Sequence, residues 1–276
     1  MSRLVYVSSR IGLLERHSLP QQPSASEEKA ERDYPDFFAF SRVPAEIYRK
    51  EGRGCWRQVE MGSERPSEVA VHITGFGRFH GVPENPTEGI VGGLEHFMQE
   101  KGLPQGLRLG SCNVLETAGE GALAPLYRAL ESAVPQTSTN SGRVIWVHFG
   151  VNGSSSCFAV EKQAVNEASF PCPDELGWKP MGVPIIASDG GISHVRQTTL
   201  PVDDIVKALA KTGYLARTSL DAGRFVCNYV YYHSLWFAEQ HGFDSLFVHV
   251  PPFETINKES QMKFVACLLD VLAYLP

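Results

Sequence analysis

The sequence predicts an α/β protein: a three-layer α/β/α sandwich around a mixed, mostly parallel central sheet. Three observations carry that expectation. From Val69 onward, short apolar or β-branched runs alternate with segments of helical periodicity, the pattern of strands joined through crossover helices. The run Arg143-Val144-Ile145-Trp146-Val147-His148-Phe149-Gly150 is apolar almost without a break, as a central strand covered on both faces requires. Hydrophobic residues make up 43% of the 276 and charged residues 20%, enough to fill a sizeable core.

The elements follow in chain order. Val69-Ala70-Val71-His72-Ile73, ending at Thr74-Gly75, reads as a buried strand feeding a glycine-rich turn. Glu88 to Lys101 sets Ile90, Val91, Leu94, Phe97 and Met98 at helical spacing and stops at Gly102. Arg108 to Leu115 is a second strand, and Gly119 to Ala133 a helix through Leu123, Leu126, Tyr127 and Leu130. Beyond the central run, Phe158 to Val165 reads as one strand. Val202 to Thr212 and Asn228 to Gln240 are helices, Ser245 to Val250 is a strand, and Glu259 to Tyr274 is the closing helix.

The first 60 residues have a different character: 19 of them are charged, against 37 of the remaining 216. Gln21 to Lys29 is a solvated linker with too little apolar surface to offset its ordering entropy. The expected organisation is therefore a poorly ordered extension over residues 1–60 and a folded domain over 61–276, with Met61 as a second candidate start. Residues 1–26, with Arg3, Arg10 and Arg16, loosely have the composition of an organellar transit peptide, whereas Glu15-Arg16-His17 interrupts any secretory apolar core. The expected location is cytoplasmic.

Composition also excludes function classes. No run of 18 apolar residues is present, so no membrane span is expected. The net charge of −6 argues against non-specific nucleic-acid binding. The six cysteines are scattered with no CxxC pair and no Cys/His cluster, which speaks against a zinc site and a disulfide scaffold. Gly75-Phe76-Gly77-Arg78-Phe79-His80-Gly81 follows a strand as a dinucleotide loop would. Its bulky Phe76, Arg78 and Phe79 would keep a pyrophosphate from the backbone, so no cofactor and no metal are expected.

Three segments carry side chains able to do chemistry at strand ends. Asp221-Ala222-Gly223-Arg224-Phe225-Val226-Cys227-Asn228 brings a cysteine to the start of a helix, where the dipole and unpaired N–H groups favour a thiolate. The competing reading is a buried structural thiol, the commonest fate of a free cysteine. His249 closes the apolar strand Leu246-Phe247-Val248-His249-Val250, ahead of Pro251-Pro252, and suits a general base, or equally a core histidine bonded to a carbonyl. Glu161, in Phe158-Ala159-Val160-Glu161, is a carboxylate in an apolar stretch and needs a partner there. That partner is an imidazole in one reading and a lysine or arginine in the other. Together the three supply nucleophile, base and orienting acid. His148 is expected to sit inside the central strand.

These motifs together resemble the pyroglutamyl peptidase I (pyrrolidone-carboxylate peptidase) family of cysteine peptidases, and its plant branch most. The opening Thr74-Gly75-Phe76-Gly77-Arg78-Phe79-His80-Gly81-Val82-Pro83-Glu84-Asn85-Pro86-Thr87 is similar to that family's first signature. Asp221 to Asn228 resembles its nucleophile motif, Phe247-Val248-His249-Val250-Pro251 its histidine motif, and Val160 to Asn166 the segment with its glutamate. The resemblance runs from about Val69 to the end of the chain. It implies an exopeptidase that removes N-terminal pyroglutamyl residues, with Cys227 as nucleophile, His249 as base and Glu161 as its orienting partner. It further implies a lactam pocket walled by Phe76, Phe79, Phe225 and Val226. Pyroglutamyl peptides are the partners expected, with homo-oligomer formation left open.

The sequence departs from the family in two places. A bacterial Gly-Gln-Ala-Gly-Gly-Arg loop is here Gly150-Val151-Asn152-Gly153-Ser154-Ser155, and Ala-Arg-Ile-Pro is Ala168-Ser169-Phe170-Pro171. Three rivals stand beside the exopeptidase: a related cysteine amidase, a catalytically silent homologue that binds pyroglutamyl groups, and a dinucleotide-binding oxidoreductase, against which the bulky Gly75–Gly81 loop counts.

Overall fold

The computed structural model describes residues 68–135 and 142–275. The expected extension over residues 1–60, its boundary at Met61 and the transit-peptide-like residues 1–26 lie outside the described residues. The elements run β1 (Val69–Phe76), α1 (Pro86–Lys101), β2 (Leu107–Leu115), α2 (Gly119–Ser132), β3 (Arg143–Val151), β4 (Phe158–Glu161), β5 (Gln163–Val165), β6 (Val195–Gln197), α3 (Val202–Lys211), β7 (Ala216–Ser219), α4 (Val226–His241), β8 (Asp244–Val250) and α5 (Lys258–Ala273). Six strands form the main sheet in the order β2-β1-β3-β8-β4-β7, while β5 and β6 pair separately. β1, β2, β3 and β8 are parallel; β4 runs antiparallel to β8 and parallel to β7. The sheet is mixed and mostly parallel, as predicted.

Strand alternation sorts the core into two layers. Val69, Val71 and Ile73 of β1, Ile145, Val147 and Phe149 of β3, and Leu246, Val248 and Val250 of β8 pack with α1, α3 and α5. The intervening Val144, Trp146 and Phe247 face the other way and pack with α2 and α4. Helix boundaries have local causes. Asn85 caps α1 by accepting from the Thr87 N–H at 3.1 Å, with Pro86 at the first helical position. Asn257 caps α5 in the same way through Ser260.

Several boundaries differ from the sequence expectation. The stretch 158–165 is two strands, not one. β4 stays in the main sheet, Lys162 turns outward to pair with Asp203 at 3.2 Å, and β5 leaves to pair with β6. Apolar periodicity does not record a change of partner. β1 runs on through Thr74-Gly75-Phe76, because Gly75 lets the strand close on α1: a Cβ there would lie 2.8 Å from the Thr87 carbonyl oxygen and from Val91. α4 begins at Val226, so Cys227 lies inside its first turn. β6, β7 and a 3₁₀ turn at Ala187–Asp189 were not anticipated; β7 (Ala-Arg-Thr-Ser) is a mostly polar edge strand with no apolar run to announce it.

The layer opposite α4 offers a clean stability test. Phe264 of α5 is fully buried and stacks on Phe158 with ring centroids 3.5 Å apart. Phe264→Ala should cost about 3–5 kcal/mol. Thermal unfolding should show the loss, while alkylation of Cys227 in the folded protein should proceed at the wild-type rate.

Candidate active site

The same alternation gathers the reactive groups under α4. Phe247 faces α2 and α4, and His249, two residues on, shares that face. Phe158 and Val160 point to the opposite core, so Ala159 and Glu161 point toward α4. In the antiparallel β4–β8 register Ala159 lies opposite His249 and Glu161 opposite Phe247. Glu161 is thus the diagonal neighbour of His249 on one face, within reach of a long side chain. The Nδ1–H of His249 donates to Glu161 Oε1 at 2.8 Å, and both residues are buried (7% and 1% exposed). The sulfur of Cys227 lies near enough to the same imidazole to favour its charged form.

Electrostatics at His249 are a contest. Burial drives the imidazole toward its neutral form, but the Cys227 sulfur and then the Glu161 carboxylate favour the cation, and they win. The pKa of His249 is raised. A histidine on the adjacent strand, paired with Phe247 rather than with His249, behaves oppositely. His148 lies between two hydroxyls, Thr74 Oγ1 at 2.7 Å on Nδ1 and Ser234 Oγ at 2.7 Å on Nε2, and burial pushes it down to about 3. It is a satisfied, neutral core histidine in the central strand, as expected.

Local chain geometry delivers the sulfur. Gly223 turns the chain at φ 78°, with its N–H donating to Asp221 Oδ1 at 3.0 Å. Arg224 ties this turn to Asp221 at 2.6 Å and to Glu167 at 3.0 Å. Phe225 then sits at the N-cap without a side-chain hydrogen bond, and no acidic residue occupies the first turn. Cys227, half-buried at the second helical position, has its sulfur against Gly150, where a Cβ would lie 2.8 Å from Sγ and 2.7 Å from the Phe247 ring. Next to it, the Asn228 amide accepts from the Val165 N–H and donates to the Val165 and Glu167 carbonyls at 2.8–3.0 Å, fixing β5 to the helix start.

The four residues of the expected pocket fall into two tiers. Phe79 and Phe225 are half-buried with ring centroids 6.3 Å apart; Phe76 and Val226 are fully buried, Phe76 within 6.4 Å of Phe247. Phe170 backs Phe225 at 4.8 Å and meets Trp178 at 5.1 Å. Asp174 latches this segment: it accepts from the Gly119 N–H at the start of α2 and from the Leu176 and Trp178 N–H groups at 2.8–3.0 Å. Glu175 accepts from the His80 N–H at 2.7 Å, so the segment also grips the loop bearing Phe79. In the altered loop, Asn152 accepts from the Ser154 N–H and hydroxyl, and Ser155 bonds to Cys157. Its polar groups close on one another. Among the described residues no cluster of His, Cys, Asp and Glu could hold a metal ion, and no helix is long and apolar enough to cross a membrane.

Asp174 lies in no motif singled out in the sequence, and Gly150, Asn228 and Phe170 stand in quoted segments with no role assigned to them. Gly150 had a usable signal, a glycine ending an apolar strand, which marks close approach of another group.

A half-buried sulfur beside a buried, carboxylate-bonded imidazole, at the carboxyl end of a mixed sheet, has the chemistry of a cysteine-type hydrolase. Comparison with known proteins narrows the class. The family model for pyroglutamyl peptidase matches residues 69–268. Pyrrolidone-carboxylate peptidase of Thermococcus litoralis is 32% identical over 192 residues, covering 68% of this chain and 80% of the relative. That of Klebsiella pneumoniae is 35% identical over 186 residues, 66% and 78% of the two chains. Among solved structures, the pyrrolidone carboxyl peptidase of Thermococcus litoralis superposes with a TM-score of 0.61 at 28% identity, over 73% of this chain and 92% of that one. A mutant of the Pyrococcus furiosus enzyme gives 0.63 at 29% identity, over 75% and 100%. The chain belongs to the pyroglutamyl peptidase family and is a cysteine-type peptidase.

Gly150 supplies a test of the packing around the sulfur. Gly150→Ala puts a methyl where Sγ and the Phe247 ring now lie. The sulfur must move, and alkylation of Cys227 by iodoacetamide should slow by roughly 10²-fold, the penalty of an ångström-scale misplacement. An unchanged rate, measured by mass spectrometry of the labelled peptide, contradicts the close approach.

Proposed function

We propose that the chain hydrolyses the amide bond after an N-terminal L-pyroglutamyl residue, with Cys227 as nucleophile, His249 as proton carrier and Glu161 as the carboxylate that orients and supports the imidazole. One observation carries this reading: in a chain of this family, the buried imidazole of His249 is held between the Cys227 sulfur and the Glu161 carboxylate.

The sulfur, having passed its proton to His249 Nε2, attacks the pyroglutamyl carbonyl carbon. Charge gathers on the carbonyl oxygen, and N–H groups in the first turn of α4 donate to it. Nε2–H protonates the departing amine as the C–N bond breaks, leaving a pyroglutamyl thioester on Cys227. Water then gives a proton to Nε2 and attacks the thioester carbon; collapse releases pyroglutamate and restores the sulfur. Through both halves Glu161 keeps Nδ1–H oriented and offsets the imidazolium charge. The lactam is neutral and has an apolar ring with one N–H and one C=O. Phe79 and Phe225 fit as its walls, while Phe76 and Val226 are fully buried.

A fluorogenic pyroglutamyl amide tests the reading directly. Wild type should release the fluorophore, and Cys227→Ala should not; turnover surviving in the variant rules out the assigned nucleophile. His249→Ala should lose roughly 10²–10⁴-fold in rate, the share of a positioned acid–base group. Peptides beginning with free glutamine should resist cleavage, because an open polar chain is desolvated in the pocket without a partner. Cleavage at a comparable rate contradicts the lactam pocket.

pH dependence follows from His249. The protonated form donates to the leaving amine, and its pKa lies above the usual 6.5, so that form survives as pH rises through 6.5. kcat/KM should therefore hold from about pH 6.5 to 8 and decline only as the raised value is approached. In Glu161→Gln a charge that keeps the proton in place is gone, and the alkaline decline should begin at lower pH. A wild-type profile already halved by about pH 7 contradicts the raised imidazole.

A further inference from the structure

The carboxylate of Glu161 is held by a single bond of its own. Oε1 accepts from His249, while Oε2, buried, has no hydrogen-bond partner. Its aim toward the imidazole is therefore set by where the main chain places it. Glu161 is the last residue of β4, and the β4–β8 pairing ends there, opposite Phe247. At that end the phenol of Tyr231 enters the ladder. Its hydroxyl donates to the Glu161 carbonyl at 3.0 Å. The Tyr231 ring is fully buried and lies 5.5 Å from the Phe247 ring, which in turn is 4.9 Å from His249. Tyr231 stands four residues after Cys227 on α4, on the same face of the helix.

We propose that Tyr231 is a positioning residue for the Glu161–His249 pair, its hydroxyl fixing the end of β4 relative to the helix turn that carries Cys227. The role rests on the reading of His249 as the proton carrier of Cys227. One rigid turn, about 6 Å of helix rise, then sets both the sulfur and the strand end that aims the carboxylate. The hydroxyl touches neither substrate nor the reacting atoms and acts only through Glu161.

Tyr231→Phe in the full chain removes one oxygen and no ring volume. We expect kcat to fall roughly tenfold with KM within about twofold, since an interaction used in the chemical step rather than in binding is lost. We also expect the alkaline limb of kcat/KM to move to lower pH, in the direction of Glu161→Gln. A purely structural role would lower the melting temperature and leave that limb in place. In a Glu161→Gln background, Tyr231→Phe should add little further loss; multiplied losses overturn the proposal. p-Aminophenylalanine in place of Tyr231 keeps a donor, and should restore both kcat and the limb; behaviour like phenylalanine overturns it. The underlying reading is tested separately by wild type and Cys227→Ala on the pyroglutamyl amide. If those controls fail, iodoacetamide labelling of Cys227 still decides: Tyr231→Phe should slow it, and an equal rate overturns the positioning role.

Discussion

An ionisable pair buried together, Glu161 with His249, is the constraint around which the rest of this molecule is arranged. A carboxylate at 1% exposure is tolerable only with a partner, and the imidazole bonded at 2.8 Å supplies it. Removing one member of such a pair leaves an uncompensated charge in the core, typically at a cost of about 3–5 kcal/mol. The pair does not repay its own desolvation through stability alone, because a well-packed apolar pair of the same volume is often as stable or more so. In the proposed reaction its presence makes sense through a third group, the Cys227 sulfur near the imidazole.

The direction of β4 is what allows the burial. In a parallel sheet, residues at the carboxyl ends of strands point toward the solvent-facing rim where ligands bind. β4 enters beside β8 in the opposite sense, so its chain runs from the rim back into the sheet. Ala159 is level with His249, and Glu161 lies two residues deeper, opposite Phe247 and under α4. The acid thus meets Nδ1 of the imidazole from below, leaving the other ring nitrogen for the sulfur. A parallel β4 would have carried the same side chain outward to water.

The two histidines show how little residue type decides. His148 and His249 stand on adjacent strands, and the register sets His148 beside Phe247 and Gly150 beside His249. Burial between two hydroxyls pushes the pKa of His148 down, while a sulfur and a carboxylate outweigh burial and raise that of His249. The glycine beside His249 is part of the same arrangement. Any side chain at Gly150 would occupy the space of the sulfur, so the central strand gives up packing at its last turn toward the site.

Much of the fold was legible because burial writes a period into the sequence. The alternation of apolar runs from Val69 onward located five helices and the principal strands, and the unbroken run at 143–150 marked the centre of the sheet. Residue chemistry, read with the motifs, also picked out Cys227, His249 and Glu161 before any geometry was known. Hidden were features that depend on which strand lies next to which. The break at Lys162, the polar edge strand β7 and the short strand β6 carry no period of their own. The spacing of the three reactive residues, 66 positions from Glu161 to Cys227 and 22 more to His249, says nothing of distance. Their meeting was decided by the antiparallel entry of β4, by strand parity and by the start of α4 at Val226, since hydrogen-bonded register is a relation between segments and no segment contains it alone.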